Sequence, residues 1–265
     1  MNKAEIKTAV KKALKRGNWI IRADRDGISH GGFRWQPVGE WTEAPDWRSD
    51  GECGGGLHGQ DRDHGGHIPP LGVTRLVFCE TDGEHIPVGC DKVKVRRARI
   101  LLVDELPSGL VVHGDLNLSD CTGLRSLPAG LVVHGSLDLS NCAGLKTLPD
   151  GLVVGGNLYL AGCTGLQLLP DGLKVGGDLD LYGCAGLTAL PDGLTVGGSL
   201  YLARCTGLTA LPDGLVVHGN LNLARCTGLR SLPAGLTVHG HLYLSNCAGL
   251  KTLPDGLVVG GFLDL

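Results

Sequence analysis

The chain is poor in aromatic residues, with three Phe, four Tyr and four Trp among 265 residues, and it holds one Met. Its charges nearly cancel, leaving a formal net charge of -3. That balance lacks the basic excess that phosphate-directed nucleic-acid binding requires. No apolar run approaches the roughly 20 residues of a membrane-spanning helix. The N-terminus, MNKAEIKTAVKKALKRG, is basic but has neither the continuous apolar core nor the small-residue cleavage site of a secretory signal. Glu5 and the scarcity of Ser and Arg there disfavour a transit peptide. The expectation is a soluble, cytoplasmic protein without nucleic-acid or membrane partners.

The deficits are unevenly shared. Residues 106–265 contain no Glu and no Trp, so every Trp falls within residues 1–105. The first part carries 17 Lys and Arg against 16 Asp and Glu, while the second carries 7 against 11 and is mildly acidic. Two units are therefore expected, 1–105 and 106–265. Glycine is abundant, with 44 residues, and most of it is periodic. From Leu106 onward the pattern L-P-x-G-L-x-V-x-G-x-L-x-L-x-x-C-x-G-L-x-x recurs every 21 residues without insertion. Leu-Pro pairs mark it at Leu106, Leu127, Leu148, Leu169, Leu190, Leu211, Leu232 and Leu253. A fixed period of this length is the signature of a solenoid, whose coils bury their apolar faces on one another. Within one coil Leu173, Val175, Leu179 and Leu181 alternate with polar residues, which predicts strands. Pro and the fixed glycines leave no stretch long enough for a helix. About eight coils at the ~4.8 Å strand spacing would stack to roughly 38 Å.

The segment Leu158-Tyr159-Leu160-Ala161-Gly162-Cys163-Thr164-Gly165-Leu166 resembles the strand-and-turn core of leucine-rich repeats, of a 21-residue bacterial or phage type. The resemblance implies that the Cys column lies inside the turn and satisfies backbone groups there. The chain departs from that family in carrying His113, Gly155 or Gly176 where a Leu is usual, with Val112, Val154 or Val175 one residue earlier. A second short strand, Gly-Leu-x-Val, is thus predicted on another side of each coil. The fold class expected is mainly β: a parallel β-solenoid of about eight coils, capped by a small α+β N-terminal domain.

Seven of the ten cysteines form one column, Cys121, Cys142, Cys163, Cys184, Cys205, Cys226 and Cys247. They are expected to be small buried hydrophobes rather than a metal ladder or a disulfide chain. Specificity should lie in the outward columns. Between the two strand leucines stand Asn117, Asp138, Tyr159, Asp180, Tyr201, Asn222, Tyr243 and Asp264; just before them stand Asp115, Ser136, Asn157, Asp178, Ser199, Asn220, His241 and Phe262. Tyr among short polar groups suits protein recognition. A third column alternates in blocks, with His at 113, 134, 218 and 239 and Gly between. Ser126–Gly156 and Ser231–Gly261 are nearly identical, which points to expansion by duplication. The last coil has no polar capping segment, so Phe262, Leu263 and Leu265 are expected to form an apolar edge that pairs with a second copy, the alternative being a chain truncated from a longer array.

In residues 1–105, a basic amphipathic helix is predicted over residues 2–16, ended by Gly17. Strands are predicted at Trp19–Ala23, Gly31–Trp35, Thr74–Glu80, His85–Val88 and Lys92–Val103, with a turn at Asp26-Gly27 and a loop from Asp46 to Pro70. Cys53, His58, Cys79 and Cys90, with His64, His67 and His85 nearby, could hold zinc, although their spacing matches no standard finger or ribbon. The C-x-x-G-L-H segment Cys53–His58, together with Val38-Gly39-Glu40-Trp41 and the K-V-x-x-x-R-A-R-I run from Lys92, is similar to small uncharacterised phage and bacterial domains that precede repeat arrays. That similarity implies a shared core containing Cys53, Gly56 and His58 and implies no activity. Arg22 with a downstream strand Glu such as Glu80 resembles the minimal outline of an ADP-ribosyltransferase site. No phosphate loop is present, because no G-K-[ST] follows the glycines. The reading preferred is a non-enzymatic scaffold without cofactor that meets a protein partner through Tyr159, Asp180, Tyr201, Asn222 and Tyr243. The alternative is an N-terminal enzyme or zinc site with the solenoid as targeting module.

Overall fold

The computed structural model describes residues 1–24, 34–44, 57–59, 75–83, 85–88 and 92–265. The chain opens with helix α1, Lys3–Arg16, whose start is fixed by a capping box. The Asn2 side chain accepts from the Ala4 and Glu5 amides, and Glu5 accepts from the Asn2 amide at 2.7 Å. Gly17, at φ 73°, closes it, in the left-handed conformation that glycine adopts without steric penalty. Ala9, Val10 and Ala13 are its buried face.

Strands β1 (Trp19–Asp24), β2 (Thr42–Glu43), β4 (Arg75–Thr81) and β7 (Arg97–Val103) form an antiparallel sheet in the order β1-β4-β7-β2. A second antiparallel sheet places β6 (Lys92–Val95) between β3 (Leu57–Gly59) and β5 (Ile86–Val88). Two sequence expectations are corrected here. Leu57–Gly59 is a strand inside the stretch read as a loop. The run Lys92–Val103 is not one strand but two, parted at Arg96 and assigned to different sheets. The predicted turn at Asp26-Gly27 and most of the Asp46–Pro70 stretch lie outside the described residues.

The four-stranded sheet buries both faces, and its alternation shows which residue goes where. Ile20, Val77, Cys79, Ala98 and Ile100 pack with Trp35, Leu57, Val93 and Val95 toward the smaller sheet. Trp19, Ile21, Leu76, Phe78 and Leu101 pack with helix α1 and with Leu106, Leu110 and Val112 of the first coil, in one apolar core that runs on to Leu244. Asp104, at φ 54°, turns the chain from β7 into the solenoid, and its backbone N–H and carboxylate both bond to Leu76.

The solenoid comprises seven full coils, from Leu106 to Thr252, and part of an eighth. Each coil contributes two two-residue strands. One set, Leu116–Asn117 through Leu263–Asp264, makes a continuous eight-stranded parallel sheet. The other set, Val111–Val112 through Val258–Val259, makes a second parallel sheet that divides into five and three strands. Apart from helix α1 the described residues form no α-helix.

Two glycine columns make this stacking possible. Leu110, a turn residue after Pro107, is reached through Gly109 at φ 73°, and the same geometry recurs in every coil. In the V-x-G column the glycines leave room for a side chain of the preceding coil. A Cβ on Gly177 would collide with Asn157 Oδ1, and one on Gly198 with Asp178 Oδ1. Those side chains are needed where they are, because each accepts the next rung's backbone N–H: Asp115 from Ser136 (2.6 Å), Ser136 from Asn157 (3.1 Å), Asn157 from Asp178 (2.8 Å), Asp178 from Ser199 (2.7 Å), Ser199 from Asn220 (3.0 Å), Asn220 from His241 (2.8 Å) and the His241 ring nitrogen from Phe262 (3.1 Å).

The block column of His and Gly has a structural meaning too. A methyl group on Gly155, Gly176 or Gly197 would run into the carbonyl oxygen of the preceding coil. The second sheet divides where a Gly coil is followed by a His coil, Gly197 to His218; where His follows His or Gly follows Gly, the ladder holds. A side chain at that step cannot enter the close approach that the glycines use. Gly176→Ala is therefore expected to lower stability by about 2 kcal/mol or more, whereas Val153→Ala, on the exposed side of the same sheet, should change it by no more than about 0.5 kcal/mol. Paired urea denaturation curves measure the difference, and equal midpoints would contradict the close-approach explanation.

Candidate functional site

The outward face of the eight-stranded sheet carries the predicted ladder in register. Tyr159 lies opposite Asp180, Asp180 opposite Tyr201, Tyr201 opposite Asn222 and Asn222 opposite Tyr243. All five side chains are half-buried. The acids and amides prove to have a local task. Asp180 accepts from the Tyr182 amide at 2.9 Å, Asn222 from Ala224 at 3.0 Å, Asp138 from Ser140 at 2.8 Å, and Asn117 from both the amide and the hydroxyl of Ser119. A side-chain oxygen that bonds two residues ahead closes an Asx turn, so Asp and Asn help to end the strand. The tyrosines cannot do this. The Tyr159 hydroxyl instead accepts from the Asn157 side chain at 2.7 Å.

Two exposed residues beside this row escaped the sequence reading, Tyr182 and Arg204. The Arg204 guanidinium lies 5.6 Å from the Tyr182 ring centroid, within the range of a cation–π contact. The signal was present in two columns that went unread. Two residues before the Cys stand Ser119, Ser140, Ala161, Tyr182, Ala203, Ala224 and Ser245, where Tyr182 is the single large side chain. One residue before it stand Asp120, Asn141, Gly162, Gly183, Arg204, Arg225 and Asn246, all at positive φ.

The cysteine column lies inside the turn, and each thiol after the first donates to the carbonyl of the leucine 24 residues earlier, at 3.0–3.1 Å. Burial pushes these thiols up, to about 11 for Cys163 and about 12 for Cys121, Cys184 and Cys226, with Cys142 and Cys205 displaced further in the same direction. Thiols held protonated are poor nucleophiles and poor metal ligands. The histidines of adjacent coils have ring centroids 5.6 Å apart for the tilted pair His113 and His134 and 5.3 Å apart for the stacked pair His218 and His239. Among the described residues no group of three or more His, Cys, Asp or Glu is placed to hold a metal.

For the N-terminal candidates, Cys79 is buried in the apolar cluster between the two sheets. Cys53 and Cys90, like Glu84, His64 and His67, lie outside the described residues, and of His58 only the backbone, in β3, is described. Arg22 and Glu80 are not brought together. Arg22 follows Ile20 on the face toward the smaller sheet, its guanidinium 4.6 Å from the Trp35 ring centroid. Glu80 pairs across from Trp19 on the opposite face and is held by Arg99 at 2.6 Å. At the far end of the solenoid Phe262, Leu263 and Leu265 are exposed, and Phe262 stacks on His241 at 3.9 Å and meets Tyr243 edge-on. A groove of about 670 Å³ crosses the Leu-Pro edge of coils three to five, between the prolines and Asp150, Asp171 and Asp192, and no His, Cys, Lys or Arg lines it. Comparison with protein-family models, with curated proteins and with solved structures finds no match to this chain.

The thiol column makes stability depend on alkaline pH. Folding raises these groups above their ordinary value of 9.0, so above that pH the unfolded chain releases protons that the folded chain keeps. The stabilisation is fully present below the unfolded value and is lost as pH rises toward about 12. Urea midpoints are expected to fall steadily above pH 9, with a shallower fall in Cys163→Ala and Cys184→Ala; an identical slope in these variants would contradict the assignment.

Proposed function

We propose that this chain is a non-enzymatic interaction scaffold of leucine-rich-repeat-like type, which meets a protein partner through the outward face of its eight-stranded sheet. The observation that carries the reading is the division of labour along one row. Asp180 and Asn222 are occupied in closing their own turns, while Tyr159, Tyr201 and Tyr243, each one rung from such a residue, close none. Tyr offers apolar area and a hydroxyl at low cost in side-chain entropy, and the two hydrogen-bonded sheets beneath hold it still. A rigid platform with aromatic anchors spends little binding energy on ordering itself. The buried, protonated cysteines and the separation of Arg22 from Glu80 supply no competing chemistry.

The test is peptide display against the immobilised protein, followed by affinity measurement on the selected peptides. Changing Tyr159, Tyr201 and Tyr243 together to Ser is expected to weaken these peptides by about tenfold or more, the scale of one lost anchor, while the thermal midpoint stays within a few degrees. Unaltered binding in that variant, or a selection that enriches no peptide, would overturn the proposal.

A further inference from the structure

Resting on that reading, we propose that Arg204 and Arg225 form an acid-reading corner at the border of the tyrosine row and take the carboxylates of an acidic, extended segment of the partner protein. A repeat supplies its own control, because the other coils show what each position needs structurally. At this column the backbone is left-handed, with φ 63° at Arg204 and 62° at Arg225. The other rungs fill it with Asp120, Asn141, Gly162, Gly183 and Asn246, the residue types that tolerate such a φ. Arginine there is a strained choice, made twice in succession.

The two choices also place like charges one rung apart. Neighbouring side chains of this column reach each other, as Asn141 does in donating to Asp120 at 3.0 Å. Both arginines are exposed, and among the described residues neither forms an ion pair, although the solenoid carries 11 Asp. Tyr182, the one large residue of its own column, lies against Arg204. Three local rules are thus broken in coils four to six, and among the described residues no carboxylate pairs with either charge, the Tyr182 ring being the one partner that Arg204 has. Departures of this kind concentrate where a ligand is met.

The chemistry narrows the ligand. Two guanidiniums carried on adjacent rungs, whose backbones lie at about the 4.8 Å strand spacing, offer N–H forks that suit carboxylates, and Tyr182 against Arg204 suits the apolar or aromatic neighbours of an acidic residue. A nucleic acid is disfavoured, since two cations are far fewer than the continuous phosphates that its binding neutralises.

The probe is a fluorescein-labelled Gly-Glu-Glu-Tyr-Glu-Gly peptide, compared with its Gln counterpart and a phosphotyrosine version by fluorescence anisotropy at low salt. The Glu peptide is expected to bind about tenfold more tightly than the Gln peptide, a 1.4 kcal/mol difference. In the double variant Arg204→Gly with Arg225→Gly that preference should vanish, and the thermal midpoint should hold or rise, because glycine suits the backbone. Equal binding of the Glu and Gln peptides, a preference that survives the double variant, or binding of the phosphotyrosine version alone would overturn the proposal. If displayed peptides depend on the tyrosines but are neutral and indifferent to the arginines, the scaffold reading stands and this one falls. If nothing binds, both fall.

Discussion

The structure depends on a requirement that each rung must meet for the next: a coil has to present hydrogen-bond acceptors at the heights where its neighbour's N–H groups arrive. Strands only two residues long are too short to hold a sheet by themselves. The chain compensates by extending the ladder beyond the strands. Side-chain oxygens from Asp115 to Asn220, then His241 Nδ1, accept one amide per rung, and the buried thiols donate back to leucine carbonyls of the coil before. With these contacts the same amide and the same thiol are matched from coil to coil, along a period that carries no insertion.

That requirement also explains the composition. Glycine in the V-x-G column is the space vacated for an acceptor side chain, and cysteine is small enough for the turn, can still donate and, as a small hydrophobe, is buried at less cost than a hydroxyl. The same positions restrict the surface. Asp and Asn on the outward row are tied to their own turns, and the His and Gly column is governed by the approach of one backbone to another. What remains for recognition is the minority of outward positions whose residues do not meet the structural demand of their column, and these are held by Tyr and Arg.

Much of this was legible in the sequence. The period and alternation of Leu173, Val175, Leu179 and Leu181 lead directly to two parallel sheets, and Val112 and its counterparts locate the second sheet. Asn2 and Gly17 bound the helix through their capping chemistry. Less legible were features decided by contacts distant in sequence. Leu57–Gly59 is too short and too glycine-rich in its surroundings to announce a strand, and it is one because β6 pairs with it. Arg96 divides the run Lys92–Val103 because the two halves serve different sheets. Alternation could have separated Arg22 from Glu80 only once the register Trp19 to Glu80 was known. The double service of Asp180 and Asn222 was hidden for another reason: a polar residue between strand leucines has the same sequence whether it faces a partner or its own backbone.

A near-perfect repeat changes how function can be argued from a single chain. In an irregular fold, an exposed arginine is unremarkable, because nothing states what that site would otherwise hold. Here Arg204 and Arg225 occupy a site whose structural preference is stated by five other rungs, and that preference is for residues that accept a left-handed backbone. Duplication by itself reproduces residues without regard to task, as the matching blocks Ser126–Gly156 and Ser231–Gly261 indicate, so conformity to the pattern carries little functional meaning. Information lies in departures, and it is strongest where a departure is unfavourable to the fold and is made in adjacent coils. By that criterion the weight falls on the arginine corner of coils five and six and on the tyrosine row of coils three, five and seven that it borders, and away from the cysteines and histidines whose regular spacing first suggests chemistry.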